Sequence, residues 1–259
     1  MPKCLSSAEA RIRNMVRSIP IANTPERADA NGAIYRLAAV AFGHPLPEFQ
    51  HALEDGSFHQ AFNDAWYRVT GREWPRFPAS RDFAALEAGY IDAFAHGRHG
   101  EPRVPLLAGE YGALLGGQTR SVFMLNIRAF YRHFGLRAAT SDEGRAEEPD
   151  HLIDMLEFMA VLSHLEARAL ERKADSSAYR RAQRDFLCRY LVPLMDAIRQ
   201  ELAAQRGLGL DKTLVRMIED LPEWASQQAA ELEARVGPYS DQASRAGDLP
   251  RSVDQNLWT

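Results

Sequence analysis

The stretch EEPDHLIDMLEFM, Glu147 to Met159, gathers more chemistry per residue than any other part of the chain. Pro149 suits the first helical position, where a missing backbone donor costs nothing. Glu148 then falls near the N-cap and Asp150 in the first turn, where acids complement the positive end of the helix dipole. Leu152, Met155, Leu156 and Met159 recur at three- and four-residue spacing and face a core. Asp150, Asp154 and Glu157 stand at i, i+4 and i+7 on another face, with His151 beside them. Grouped carboxylates are the natural partners of guanidinium groups, which they hold with charge-assisted, often bidentate hydrogen bonds. The same spacing also describes a solvated helix face, and a histidine at a helix start also serves as a cap or surface group.

Other reactive residue types are dispersed. The eight histidines include no HExxH pair, and His96, His99 and Glu101 share only a glycine-bearing polar loop. No Gly-x-Ser-x-Gly, phosphate-binding loop or dinucleotide fingerprint occurs, and Gly116-Gly117-Gln118-Thr119-Arg120 lacks the lysine a phosphate loop needs. Cys4 and Cys188 form no Cys-x-x-Cys pair, and Cys188 reads as a small core hydrophobe. These residues give no catalytic set and no metal set, and no cofactor is assigned.

The elements that carry these residues read as helix after helix. Glu26 to Phe42 has one apolar face and ends at GHPLP, Gly43 to Pro47. Ser57 to Val69 is a second helix, with Phe58, Phe62, Ala65, Trp66 and Val69 inward. Arg72 to Ser80 is a loop that bears Trp74, and a third helix covers Ser80 to Ala95 with Ser80 as its N-cap. Pro105 to Leu115 is a short helix that stops at Gly116-Gly117. Thr119 to Phe134 is amphipathic, with Val122, Phe123, Leu125, Ile127, Phe130 and Phe134 mostly inward. The longest helices follow: Glu148 to Lys173, Ser176 to Gln205 with a kink at Pro193, and Leu208 to Val236 broken near Pro222. The expectation is an all-α, multi-helix bundle: one helical domain over residues 1–236 and a polar tail over 237–259.

Composition agrees with a globular chain. Of 259 residues, 46% are hydrophobic and 25% charged, enough for a sizeable core. A formal net charge of −4 argues against a nucleic-acid partner but leaves room for a local acidic patch that takes a basic peptide. The N-terminus lacks an export-type apolar stretch, and no window approaches a membrane span, so the expected location is the cytoplasm.

The string Glu147-Glu148-Pro149-Asp150-His151-Leu152, followed by Leu156-Glu157-Phe158-Met159, resembles the signature of the TorD/DmsD/NarJ chaperones in residue types and spacing. Glu110-Tyr111 with Leu114-Leu115-Gly116, and Phe130-Tyr131-Arg132 with Phe134-Gly135-Leu136, resemble stretches that flank that signature. A second signature departs: Tyr190 stands where the family often has His, and Leu194 where it often has Trp. The likeness extends over about Glu110 to Leu194 and is nearest to the subgroup serving dimethylsulfide, ethylbenzene, selenate or chlorate oxidoreductases.

The resemblance implies an all-α cytoplasmic protein, not an enzyme, that binds the twin-arginine signal peptide and the catalytic subunit of a molybdenum oxidoreductase before export. It points to Asp150 as the leading arginine contact, helped by Glu148, Asp154 and Glu157, with His151 binding the peptide or orienting Asp150. Tyr111 is a further candidate at the groove wall, and loop-borne Trp74 is expected to be exposed and to line its apolar part. Alanine at Asp150 or His151 is expected to weaken leader binding without unfolding the chain. The alternative is a permanent helical subunit or adaptor of a redox complex.

Overall fold

The computed structural model describes residues 24–96, 100–136 and 148–240. Among these, every regular element is helical, and the sole β-type pairing is an isolated antiparallel bridge between Leu107 and His151.

Helix α1 spans Pro25–Phe42; the Thr24 side chain caps it by accepting from the Arg27 N–H at 3.3 Å. The prolines expected only to end it also begin the next helix. Pro47 is a first-turn residue of α2, Pro47–Asp55, which the sequence does not announce as a separate element. Gly56, at φ +84°, turns the chain directly into α3, Ser57–Thr70. Helix α4 covers Phe83–Tyr90 and continues as a π turn, Ile91–Ala95. Its cap is Asp82, which accepts from the Ala85 N–H, and not Ser80. Ser80 instead donates through both its N–H and its hydroxyl to Asp211.

The expected helix over Pro105 to Leu115 resolves into two 3-10 turns, Ala108–Glu110 and Gly112–Leu115. Helix α5 is Arg120–His133, capped by Thr119. Its apolar residues do not all turn inward: Phe123 and Ile127 are buried, but Val122 and Leu125 are 45% and 57% exposed.

Helix α6 is Leu152–Glu171, and its cap is His151. It therefore starts four residues later than the sequence suggests. Pro149 and Asp150 form a turn before the helix, because the backbone there pairs with the segment at Leu106 to Ala108. Helix α7, Ser177–Phe186, runs through a π turn, Leu187–Leu191, into α8, Val192–Ala204. The wide turn lies where the ring of Pro193 would otherwise crowd the carbonyl of Arg189. Helix α9, Lys212–Val236, carries Pro222 without a break. Leu221, Pro222, Trp224 and Ala225 are all buried, so packing holds the segment helical across the missing donor.

Helices α1 and α6 pack along each other, α3 lies on α1, and α7 joins α6 to α9. Gly32 permits the central approach, since a Cβ there would meet Ser163 Cβ at 3.3 Å and the Ala160 carbonyl at 3.5 Å. Below that contact a buried polar chain crosses the bundle. Tyr35 donates to Gln228, Gln228 to Gln183 and Gln183 to Glu166, which also takes the guanidinium of Arg180 at 2.7 Å.

No helix among the described residues is long and apolar enough to cross a membrane. The tail expected after Gly237 lies mostly outside the described residues. Its first part is held, with Arg184 donating to the Gly237 carbonyl at 2.8 Å and the Tyr239 N–H to Glu233 at 2.9 Å.

Candidate functional site

The N-terminal end of α6 is fastened before the helix begins. The Leu152 N–H donates to the Leu106 carbonyl at 2.8 Å, and the Ala108 N–H donates to the Asp150 carbonyl at 3.0 Å. This short pairing brings the loop at residues 104–119 against the Pro149–Asp150 turn. The loop then leads to Arg120, the first residue of α5.

Three acids and one arginine meet there. Asp150 is fully buried, and its Oδ2 accepts from the Gly109 N–H at 2.8 Å. Arg120 lies between Asp150, with Nε at 3.8 Å, Glu110, with an Nη at 3.2 Å, and Glu148, with the other Nη at 3.8 Å. Glu110 and Glu148 are half-exposed, so the cradle has a buried floor and an open rim. Asp150 Oδ1 and Arg120 Nε are both buried and have no hydrogen-bond partner among the described residues. Such groups are rare in native interiors, and each calls for an explanation.

Gly109 is required for space. A Cβ there would stand 2.5 Å from Arg120 Nε and 2.8 Å from Asp150 Oδ2. The arginine end can swing away, but the short, bonded aspartate cannot. Gly109→Ala is expected to expel Arg120 from the floor and destabilise the chain by about 1–3 kcal/mol, read from the urea midpoint. An unchanged midpoint would show that the floor has slack.

The structure gathers some of the sequence candidates and separates others. Glu148 and Asp150 share the cradle. His151 sits at its edge, and its Nδ1 accepts from the Ile153 N–H at 3.2 Å, so it caps α6. His151→Ala is expected to cost about 1 kcal/mol through the lost cap; unchanged denaturant stability would contradict that role.

Asp154 is half-buried one turn on, and Glu157 is exposed. These two acids remain on the face of α6, whereas Asp150 turns into the cradle; the three do not form a continuous stripe. Tyr131, whose hydroxyl donates to the Pro149 carbonyl at 2.8 Å, lies in their field. Burial first, then the charges of Asp154, Asp150 and Glu157, push its phenol well above the ordinary range, so it remains a donor.

Tyr111 is half-buried, and its hydroxyl donates to the Pro105 carbonyl at 2.8 Å, bracing the loop. Burial, with a smaller push from Glu201, raises its phenol as well.

Trp74 does not line an open groove. It is 2% exposed, rests on Phe62 with ring centroids 4.6 Å apart, and donates its indole N–H to Asp220 at 3.1 Å. A tryptophan in a proline-bearing loop is pulled inward here because α3 and α9 supply both an aromatic face and an acceptor.

Glu110, Arg120 and Gly109 complete the site but were not among the sequence candidates. One signal was available: arginine at the first position of a helix opposes the dipole and needs nearby acids.

The second signature region serves packing. Phe186, Leu187, Tyr190, Leu191 and Leu194 are all buried, and Tyr190 meets Phe123 edge-on at 5.4 Å. Cys188 is partly buried, and burial pushes its thiol up to about 11, so it stays protonated at neutral pH. No three His, Cys, Asp or Glu come together as a metal site among the described residues. His99 lies outside them.

Residues 52–200, which span the loop, the cradle, α5 to α7 and most of α8, match the sequence model of the nitrate reductase delta subunit family. The chain belongs to that family. With it goes the resemblance to the TorD/DmsD/NarJ chaperones, whose signature lies inside the matched residues. Within this family the chain is 52% identical over 233 residues to the dimethyl sulfide dehydrogenase assembly chaperone protein of Rhodovulum sulfidophilum, covering 90% of this chain and 93% of the relative. It is 30% identical over 198 residues to the perchlorate reductase assembly chaperone protein of Dechloromonas aromatica, covering 73% and 85%. It is 34% identical over 140 residues to the selenate reductase assembly chaperone protein of Thauera selenatis, covering 54% and 68%. No solved structure matches the chain.

Proposed function

We propose that this family member is a system-specific assembly chaperone for a molybdopterin-dependent oxidoreductase. It acts in the cytoplasm, where it binds the twin-arginine leader of the catalytic subunit, its apo-form, or both, before export. The observation that carries the leader reading is the acidic cradle of Glu110, Glu148 and Asp150, with a buried floor oxygen that has no partner among the described residues. A carboxyl cluster of this kind fits the guanidinium of an arginine side chain. Val122 and Leu125, uncovered within the first two turns of the helix that starts at Arg120, offer apolar surface to the stretch that follows the arginines.

The names of the relatives support assembly over catalysis, and a transient chaperone over a permanent subunit, although the family's own description is that of a subunit. The subgroup expected from the sequence is in keeping with relatives named for dimethyl sulfide, perchlorate and selenate enzymes. Affinity purification of the tagged chain from cells that make the client tests this role. The expected result is capture of the leader-bearing precursor, with the mature enzyme absent. Fixed-stoichiometry capture of the mature enzyme would favour a permanent subunit.

A further inference from the structure

Three carboxyl groups in the cradle already surround one guanidinium, that of the chain's own Arg120. Its contacts are loose. The hydrogen-bonded ion pair to Glu110 is 3.2 Å long, and the ion pairs to Glu148 and Asp150 are 3.8 Å, whereas a well-made guanidinium–carboxylate pair closes to about 2.7–2.9 Å on two parallel bonds. Neither Arg120 Nε nor Asp150 Oδ1 finds a hydrogen-bond partner among the described residues. The side chain is 39% exposed, so a path to solvent is open. Arg120 also stands at the N-terminal end of α5, where the dipole disfavours a cation, leaving the carboxyl cluster to hold it in place. An arginine chosen to lock this loop would fork onto the buried Asp150. This one spans three acids, hydrogen-bonds to Glu110 through a single nitrogen, and forks onto none of them.

From this geometry we infer that Arg120 is a resident stand-in for the client's arginine: it occupies the cradle in the empty chaperone and is displaced when a leader guanidinium enters. This inference rests on the leader-binding role proposed above. The stand-in keeps Asp150 from facing the interior alone, and it sets a threshold for entry. A lone basic side chain gains little by replacing an equivalent one. A leader that also offers a second arginine and an apolar stretch gains more and takes the site. Occupancy by Arg120 lowers apparent affinity by the fraction of time the cradle is free. If that fraction is near one-tenth, removing the stand-in tightens binding about tenfold.

The test uses a synthetic leader peptide with two adjacent arginines followed by an apolar stretch, titrated calorimetrically into the wild-type chain and into Arg120→Gln. Tighter binding to the variant, by about tenfold, is expected. Because removing Arg120 exposes the fold to an unpaired Asp150, a second measurement uses the wild-type chain alone. The arginine Nε–H resonance of Arg120, assigned by its loss in the variant or by selective labelling, is followed as the peptide is added. It should shift and exchange faster with water as the side chain leaves the cradle. Peptide binding to the wild type with this resonance unmoved would overturn the stand-in while leaving the leader role intact. So would equal or weaker binding by a folded Arg120→Gln chain. Absence of binding to both chains would overturn the two together, and binding to the variant alone would support both.

Discussion

Asn in place of Asp150 should weaken binding of a twin-arginine leader by about 1.5–3 kcal/mol, or roughly 10- to 150-fold in Kd. Asp150 is the floor of the cradle, fully buried, with one oxygen bound to the Gly109 amide and the other without a partner among the described residues. The amide is nearly isosteric. Its carbonyl must take over the Gly109 N–H, which points its NH2 toward the position a guanidinium occupies. A charge-assisted acceptor then becomes a neutral donor in the same place. Stability should change less than affinity, because the Gly109 hydrogen bond survives. The structure makes Ala the poorer test: it would empty a buried site and strip Gly109 of its acceptor, so the expectation that Ala leaves the fold untouched holds less well here than for His151. Leader calorimetry with the Asn variant, beside its urea midpoint, checks the prediction. Full affinity in a folded variant would remove Asp150 from the site.

Glu166→Ala is expected to destabilise the chain by about 3–5 kcal/mol. Glu166 lies on α6 with its side chain 7% exposed, and it accepts 2.7 Å hydrogen bonds from both Arg180 and Gln183. Gln183 passes the network on to Gln228, and Gln228 to Tyr35 of α1. Removing the carboxylate takes a counter-charge from Arg180, whose side chain is only 10% exposed, which is the costly way to break a buried pair. Burial alone holds the Tyr35 phenol well above its ordinary range, so its hydroxyl donates to Gln228 at neutral pH. Urea unfolding followed by circular dichroism measures the effect. A loss of about 1 kcal/mol or less, the size of an exposed pair, would contradict the assigned weight of this network.

The sequence made the helices easier to see than their ends. Apolar spacing located α1, α3, α5 and the paired α7 and α8 closely, because one buried stripe per helix is a local pattern. Helix α2 was hidden because its first-turn Pro47 also reads as the end of what precedes it. Pro222 suggested a break in α9, but the buried surface around it outweighs one absent donor.

The start of α6 moved for a non-local reason. Leu106 and Ala108 claim the backbone at Leu152 and Asp150, 46 and 42 residues away in the chain, and no helical periodicity reports that. The same pairing explains the site. The string of acids was legible as chemistry for arginine, and Glu148 and Asp150 do meet around a guanidinium. That the guanidinium belongs to the chain, and that Glu110 closes the ring, depends on a loop docking across the start of α6. Trp74 is buried despite its place in a loop, because Phe62 and Asp220 give both its ring and its N–H an interior partner, and loop position alone carries no sign of that.

The most direct test of the central claim is calorimetric titration of the full chain with a twin-arginine leader peptide, beside the same peptide with both arginines changed to alanine. The account predicts low-micromolar binding, about −8 kcal/mol, for the first and none for the second. Equal binding of both peptides, or binding of neither across leaders from several molybdenum enzymes, would contradict the assignment of the acidic cradle to the leader's arginines.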